Sequence, residues 1–134
     1  MNRYTGSCLC GACHYVITGK KPQAMYLCHC SRCRKETGSN HGATVFFDDA
    51  QLIWEKGQEN ITYFRLEHTR KERTFCTTCG SPVPRQDERG YVVLPAGTLD
   101  KECDLEPTAH IFIASRASWE DKLIHLPRFE ALPT

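Results

Sequence analysis

Cysteines in tight groups are the residues of this chain best suited to chemistry. Cys8-Leu-Cys10-Gly-Ala-Cys13, Cys28-His-Cys30-Ser-Arg-Cys33 and Cys76-Thr-Thr-Cys79 hold eight of its nine cysteines. Sulfurs one or two residues apart rarely reach disulfide geometry without strain. Zinc, by contrast, draws short-range thiolate pairs on tight turns, converging from distant parts of a chain. A lone C-x-x-C is shared with redox motifs, but three such groups together point to zinc. Four thiolates close a structural site, and three leave a position for water or substrate. Cys8, Cys10, Cys76 and Cys79 would make a four-sulfur set, leaving Cys28, Cys30 and Cys33 as a three-sulfur set. Spacing alone does not select this partition, because Cys13 is a rival ligand. In Cys13-His-Tyr15-Val-Ile17 it alternates onto the face of Tyr15 and Ile17, as a small core hydrophobe does. Cys103, alone in Lys101-Glu-Cys-Asp104, reads as a bystander thiol.

Around the second group stand Arg32, Arg34 and Lys35. Their charge would favour thiolate and could engage the carboxylates of an acidic thiol substrate, against the plainer reading of a solvated basic turn. His29, between two of the cysteines, could move protons beside a metal, although a residue so placed more often points outward. Thr37, Gly38 and Ser39 offer further polar contacts. His110 reads as a strand residue with a satisfied ring, Trp54 and Trp119 as core or rim aromatics, and Arg70-Lys-Glu-Arg73 as a mixed-charge turn.

The elements that must position these residues are mostly strands. Tyr15–Thr18, Ala24–Leu27, Ala43–Phe47, Ile61–Phe64, Tyr91–Leu94 and His110–Ile113 are rich in β-branched and aromatic residues. Gly, Pro and Asp turns separate them, and the spacing predicts a mainly β, antiparallel domain. Ser31–Thr37 alone reads as helical, directly on the second cysteine group. At 134 residues, with no linker or low-complexity tract, the chain is expected to form one domain, residues 1–134. A formal charge of +1 gives no pull toward nucleic acid or membrane. Neither a signal segment nor a membrane span is visible, so the abundant thiols suggest a cytoplasmic, reducing setting.

Gly6-Ser-Cys-Leu-Cys-Gly, Cys28-His-Cys-Ser-Arg-Cys-Arg-Lys and Phe75-Cys-Thr-Thr-Cys-Gly-Ser recur in order with Ala96-Gly-Thr-Leu-Asp100 and His110-Ile-Phe. Ser115-Arg-Ala-Ser-Trp119 and Leu126-Pro-Arg-Phe129 complete the set. In these motifs the chain resembles the glutathione-dependent formaldehyde-activating (GFA) family, whose domain is shared with centromere protein V. The resemblance implies a β-tent fold of small antiparallel sheets joined at a zinc site. It also implies a structural zinc on Cys8, Cys10, Cys76 and Cys79, and a labile zinc on Cys28, Cys30 and Cys33 beside the substrate. The family more often has an aliphatic residue at the position of Cys13. The implied activity is that of a carbon–sulfur lyase, joining formaldehyde to glutathione as S-hydroxymethylglutathione or reversing that step. Cys30 is then the expected reactive sulfur, exchanging between zinc and the thiol substrate. Two rivals stand beside this reading: a non-catalytic zinc module that binds a partner, and a redox or metal sensor switching through Cys28, Cys30 and Cys33.

Overall fold

The computed structural model describes residues 2–101 and 105–133. Along the chain run β1 (Asn2–Ser7), β2 (His14–Gly19), β3 (Ala24–Cys28), α1 (Ser31–Thr37), β4 (Gly42–Phe47) and β5 (Ala50–Lys56). They are followed by β6 (Ile61–Arg65), β7 (Glu72–Cys76), β8 (Arg85–Gln86), β9 (Val92–Pro95) and β10 (Ala109–Ile111). The protein is mainly β, with small sheets and one short helix at the second cysteine group. β1-β2-β5 form one sheet, β10-β3-β4-β9-β8 a second, and β6-β7 a two-stranded third. No helix among the described residues is long and apolar enough to cross a membrane.

The strands expected from β-branched and aromatic runs are present, and α1 has the expected bounds. The one expected over His110–Ile113 ends instead at Ile111, and Phe112 then turns left-handed into a 3-10 turn. β1, β5 and β7 lie in sequence too polar to stand out by composition. β5 nonetheless alternates inward Leu52 and Trp54 with outward Gln51, Ile53 and Glu55. The antiparallel expectation needs one correction, because β10 pairs with β3 in parallel, Ile111 opposite Cys28. These two strands are far apart in the chain, so no hairpin dictates their direction.

Alternation builds the main core. Tyr15 and Ile17 of β2, Val45 and Phe47 of β4, and Val92 and Leu94 of β9 interleave with Tyr4 of β1. Tyr4 meets Phe47 edge-on at 5.2 Å, and Tyr15 meets Trp54 at 6.0 Å, both favoured aromatic geometries. A second, smaller core contains Cys8, Cys13, Cys76 and Val83, and Trp54 packs against both. Cys13 is fully buried there, its Sγ donating to the carbonyl of Gly57 at 3.4 Å.

Gly57 turns the chain out of β5 at φ +80°, and a Cβ there would overlap the Ala12 carbonyl and stand 2.9 Å from the Cys13 Cα. Gly90 has φ +90° with open space around it. Gly90→Ala is therefore expected to cost only left-handed strain, about 1–2 kcal/mol. Gly57→Ala adds a backbone clash and is expected to cost at least about 3 kcal/mol. Chemical denaturation of the two variants checks the ordering, and equal losses would refute the close approach at Gly57.

Candidate metal and thiol site

Two tight knuckles build the first sulfur group. After β1 the chain reverses through Cys8–Cys13, where the Cys8 amide donates to the Cys13 carbonyl at 3.1 Å. Gly11 supplies the left-handed residue of this turn at φ +80°. The Cys13 amide donates to the Cys8 sulfur at 3.3 Å. β7 ends in the second knuckle, where the Gly80 amide returns to the Cys76 carbonyl at 2.8 Å.

Together these turns bring the sulfurs of Cys8, Cys10, Cys76 and Cys79 within 4.8 Å of one another. Cys8 and Cys10 are 3.7 Å apart, and Cys10 and Cys76 are 3.8 Å apart. Sulfurs at about 2.3 Å from a tetrahedral zinc stand about 3.8 Å from each other, so these four fit the ion. Amides, sulfurs and burial set the charge of the group. The backbone of Ser81 and Cys10 brings Cys79 down to about 6. At Cys10 the Ala12 backbone lowers the thiol, but burial and the neighbouring sulfurs outweigh it and push it up to about 11. Burial pushes Cys13 up to about 12, and it stands outside the group.

The second sulfur group forms where β3 passes into α1. Cys28 ends the strand, Cys30 is the helix N-cap, and Cys33 lies in the first turn. The Cys30 sulfur accepts the Cys33 amide at 3.4 Å, the capping role usually filled by a small oxygen-bearing side chain. All three sulfurs lie within 4.8 Å of one another and could hold a metal with a position left open. Burial would raise the Cys30 thiol, but the Cys33 backbone and the sulfurs of Cys28 and Cys33 bring it below its ordinary value. Burial and Cys28 push Cys33 up to about 12, against the pull of Lys71.

Lys71 is the cation that meets this group. Its Nζ is 3.4 Å from the Cys33 sulfur and 2.7 Å from Glu36 Oε1. A cavity of about 220 Å³ opens beside it, lined by Cys28, Cys33, Glu36, Lys71, Arg73 and Arg85 among others. Arg32, Arg34 and Lys35 do not line it. Arg32 and Lys35 are exposed, and Arg34 is half-buried with its Nε donating to the His29 carbonyl at 3.3 Å. The stretch Arg70–Arg73, expected to be a plain mixed-charge turn, thus reaches the sulfurs. Lys71, Arg73 and Phe75 at period-two spacing ahead of Cys76 were the available signal.

His29 also departs from expectation. Its side chain points inward and is fully buried, because β10 covers this edge of β3 and the His29 amide donates to the Ile111 carbonyl at 3.0 Å. His110 is on a strand, and its ring Nδ1 lies 2.8 Å from His29 Nε2. Cys103 lies outside the described residues.

These features define a mainly β domain with two thiolate groups able to hold metal, the three-sulfur one beside a cationic cavity. The chain belongs to the family described as glutathione-dependent formaldehyde-activating enzyme, which residues 3–115 match. Its backbone is also similar to the crystal structure of a Rhodobacter sphaeroides protein. That protein is 24% identical, with a TM-score of 0.58 over 79% of this chain and 98% of the other. That likeness is one of fold.

Asn60 supports the first sulfur group from outside it. Its Nδ2 donates to the Cys76 sulfur at 3.4 Å and to Thr78 Oγ1 at 3.0 Å. Partners of this kind are worth about 10–100-fold in metal affinity. Asn60→Ala is expected to weaken zinc binding by about that factor, read by competition with a chromogenic chelator. Unchanged affinity would remove Asn60 from the support of the site.

Proposed function

We propose that this protein is a zinc-dependent carbon–sulfur lyase that joins a glutathione-type thiol to formaldehyde or a related aldehyde, or reverses that step. The observation that carries the reading is the cavity shared by Cys28 and Cys33 with Lys71, Arg73 and Arg85. In the forward direction the thiol sulfur forms a bond to the carbonyl carbon. The carbonyl π pair moves to oxygen, and oxygen takes up a proton in place of the one the thiol lost. Cys28, Cys30 and Cys33 would hold the zinc, which when bound would favour the thiolate form of the thiol substrate. Cys8, Cys10, Cys76 and Cys79 would hold a second, structural zinc.

The chain's own groups do the rest. Lys71 stands at the sulfur group and stabilises negative charge there. Arg73 and Arg85 face the same cavity and suit the carboxylates of a glutathione-like peptide. Cys30 caps the helix in the same group as Cys28 and Cys33, which line the cavity, and in this reading it is the sulfur that would exchange between metal and substrate. Arg32, Arg34 and Lys35 form an outer set on the helix that carries Cys33. A reducing, cytoplasmic setting would keep all these thiols available.

One observation favours a second reading, a metal-binding module that docks a partner. Phe112, Ile124, Leu126, Phe129 and Leu132 are large apolar side chains left exposed toward the C-terminal end. The two readings part on glutathione.

Titration with glutathione is expected to shift the amide resonances of residues 28–39 and 71–73. Lys71→Ala is expected to lower kcat/KM for glutathione with formaldehyde by about 10–100-fold, the worth of one charge-assisted contact. Lys71→Arg should restore part of the loss, and Arg32→Ala should lose less than Lys71→Ala. Amides unmoved at saturating glutathione would end the lyase reading and leave the docking module.

A further inference from the structure

A third group of ligand-type side chains shares no ligand with either sulfur group, although His29 lies between Cys28 and Cys30 in the chain, and it takes no part in the reaction proposed above. His29, His41 and Glu120 bring ligand atoms within 4.8 Å of one another. They come from three places: the junction of β3 and α1, the turn before β4, and the start of the 3-10 turn Glu120–His125. His29 is fully buried, and the Nδ1 atoms of both His29 and His41 are buried without a hydrogen-bond partner. Buried polar atoms are normally satisfied, and an orphaned imidazole nitrogen on a ring that lies beside a carboxylate and a second imidazole is an atom in search of a ligand.

The neighbours are arranged as a metal's outer partners usually are. Glu120 Oε1 lies 4.0 Å from His29 Nε2. Its other oxygen accepts from the Nδ2 of Asn40, which is itself buried. A second-tier amide of this kind fixes the direction of a ligating carboxylate. His110 stands alongside, its ring 4.9 Å from that of His29, while the His41 ring is 5.4 Å away on another side.

We propose that His29, His41 and Glu120 form a further divalent-cation site, with His110 as an outer partner whose Nδ1 lies 2.8 Å from His29 Nε2. Two imidazoles and one carboxylate make a donor set that suits zinc and other borderline ions rather than calcium or magnesium. The ion would pin the C-terminal 3-10 turn to the covered edge of β3. Imidazole and carboxylate hold zinc less firmly than thiolates at these counts, so this site fills after the sulfur groups.

Zinc content of the reduced, zinc-saturated protein tests the proposal, with His41→Ala, Glu120→Gln and the exposed-residue control His68→Ala measured beside wild type. Wild type and His68→Ala are expected to carry one equivalent more than His41→Ala and Glu120→Gln. Ring nitrogen resonances of His29 and His41 in the wild type are expected to shift as that last equivalent binds. Equal zinc content in all four proteins, or a last equivalent that leaves those ring nitrogens in place, overturns the site. The wild-type resonances decide the matter where a variant fails to fold. Both readouts concern metal alone, so their failure leaves the lyase reading standing, and loss of the lyase reading leaves this site untouched.

Discussion

Four sulfurs held within 4.8 Å of one another, two of them 66 residues apart in the chain, are the constraint on which this fold depends. Thiolates at that distance repel. Against the Ala12 backbone, burial and the neighbouring sulfurs push Cys10 up to about 11, while backbone amides bring Cys79 down to about 6. A cation bound among them would relieve the repulsion. The group is also a joint. It ties the β1–β2 knuckle to the end of β7, and Cys8 and Cys76 are themselves part of the small core that lies there. A two-stranded sheet such as β6–β7 is marginal by itself. It is held by sulfur where a larger protein would use hydrocarbon.

The same strand carries that order to the second group. Glu36 of α1 pairs with Lys71 at 2.7 Å and with Arg73 at 3.7 Å, crossing from the helix that bears Cys33 to the start of β7. Arg73 also donates to the Gly80 carbonyl at 2.9 Å, inside the knuckle of the first group, and lies over Phe75. The cation at Cys33 is held by Glu36, and the same carboxylate is linked through Arg73 to the turn that gathers Cys76 and Cys79. These pairs are partly buried, so removing one partner strands another charge. Arg73 and Glu36 thus link the four-sulfur group to the cavity lining.

Local chemistry was readable from sequence, and distant chemistry was not. The helix bounds follow from a cap at Cys30 and a left-handed Gly38, both within one short stretch. The individual cysteine knuckles follow from spacing for the same reason. Spacing does not decide that Cys8 and Cys10 join Cys76 and Cys79 and that Cys13 does not. The two C-x-C-x-x-C segments nonetheless end differently. After Cys30 the chain turns helical, and a helix returns residue i+3 to the same side, so Cys33 joins its group. After Cys10 the chain turns at Gly11 toward β2, and Cys13 goes into the core. Lys71 sits 38 residues from Cys33, and its arrival depends on how β7 is placed against α1. No local pattern encodes that, nor the parallel pairing of β10 with β3.

The residue between paired cysteines makes the point most sharply. Leu9 lies between Cys8 and Cys10 and is 87% exposed, whereas His29 lies between Cys28 and Cys30 and is fully buried. Spacing is identical, so spacing does not decide. None of the described residues covers Leu9 in the first knuckle, and an apolar side chain there is simply left in water. The second knuckle is overlain by β10, whose backbone takes the His29 amide, and by Glu120 of the C-terminal turn. A buried position beside carboxylate and imidazole is affordable only for a side chain that can share protons or bind an ion, and histidine is that side chain. The cover over the second group therefore explains both the choice of residue and its orientation.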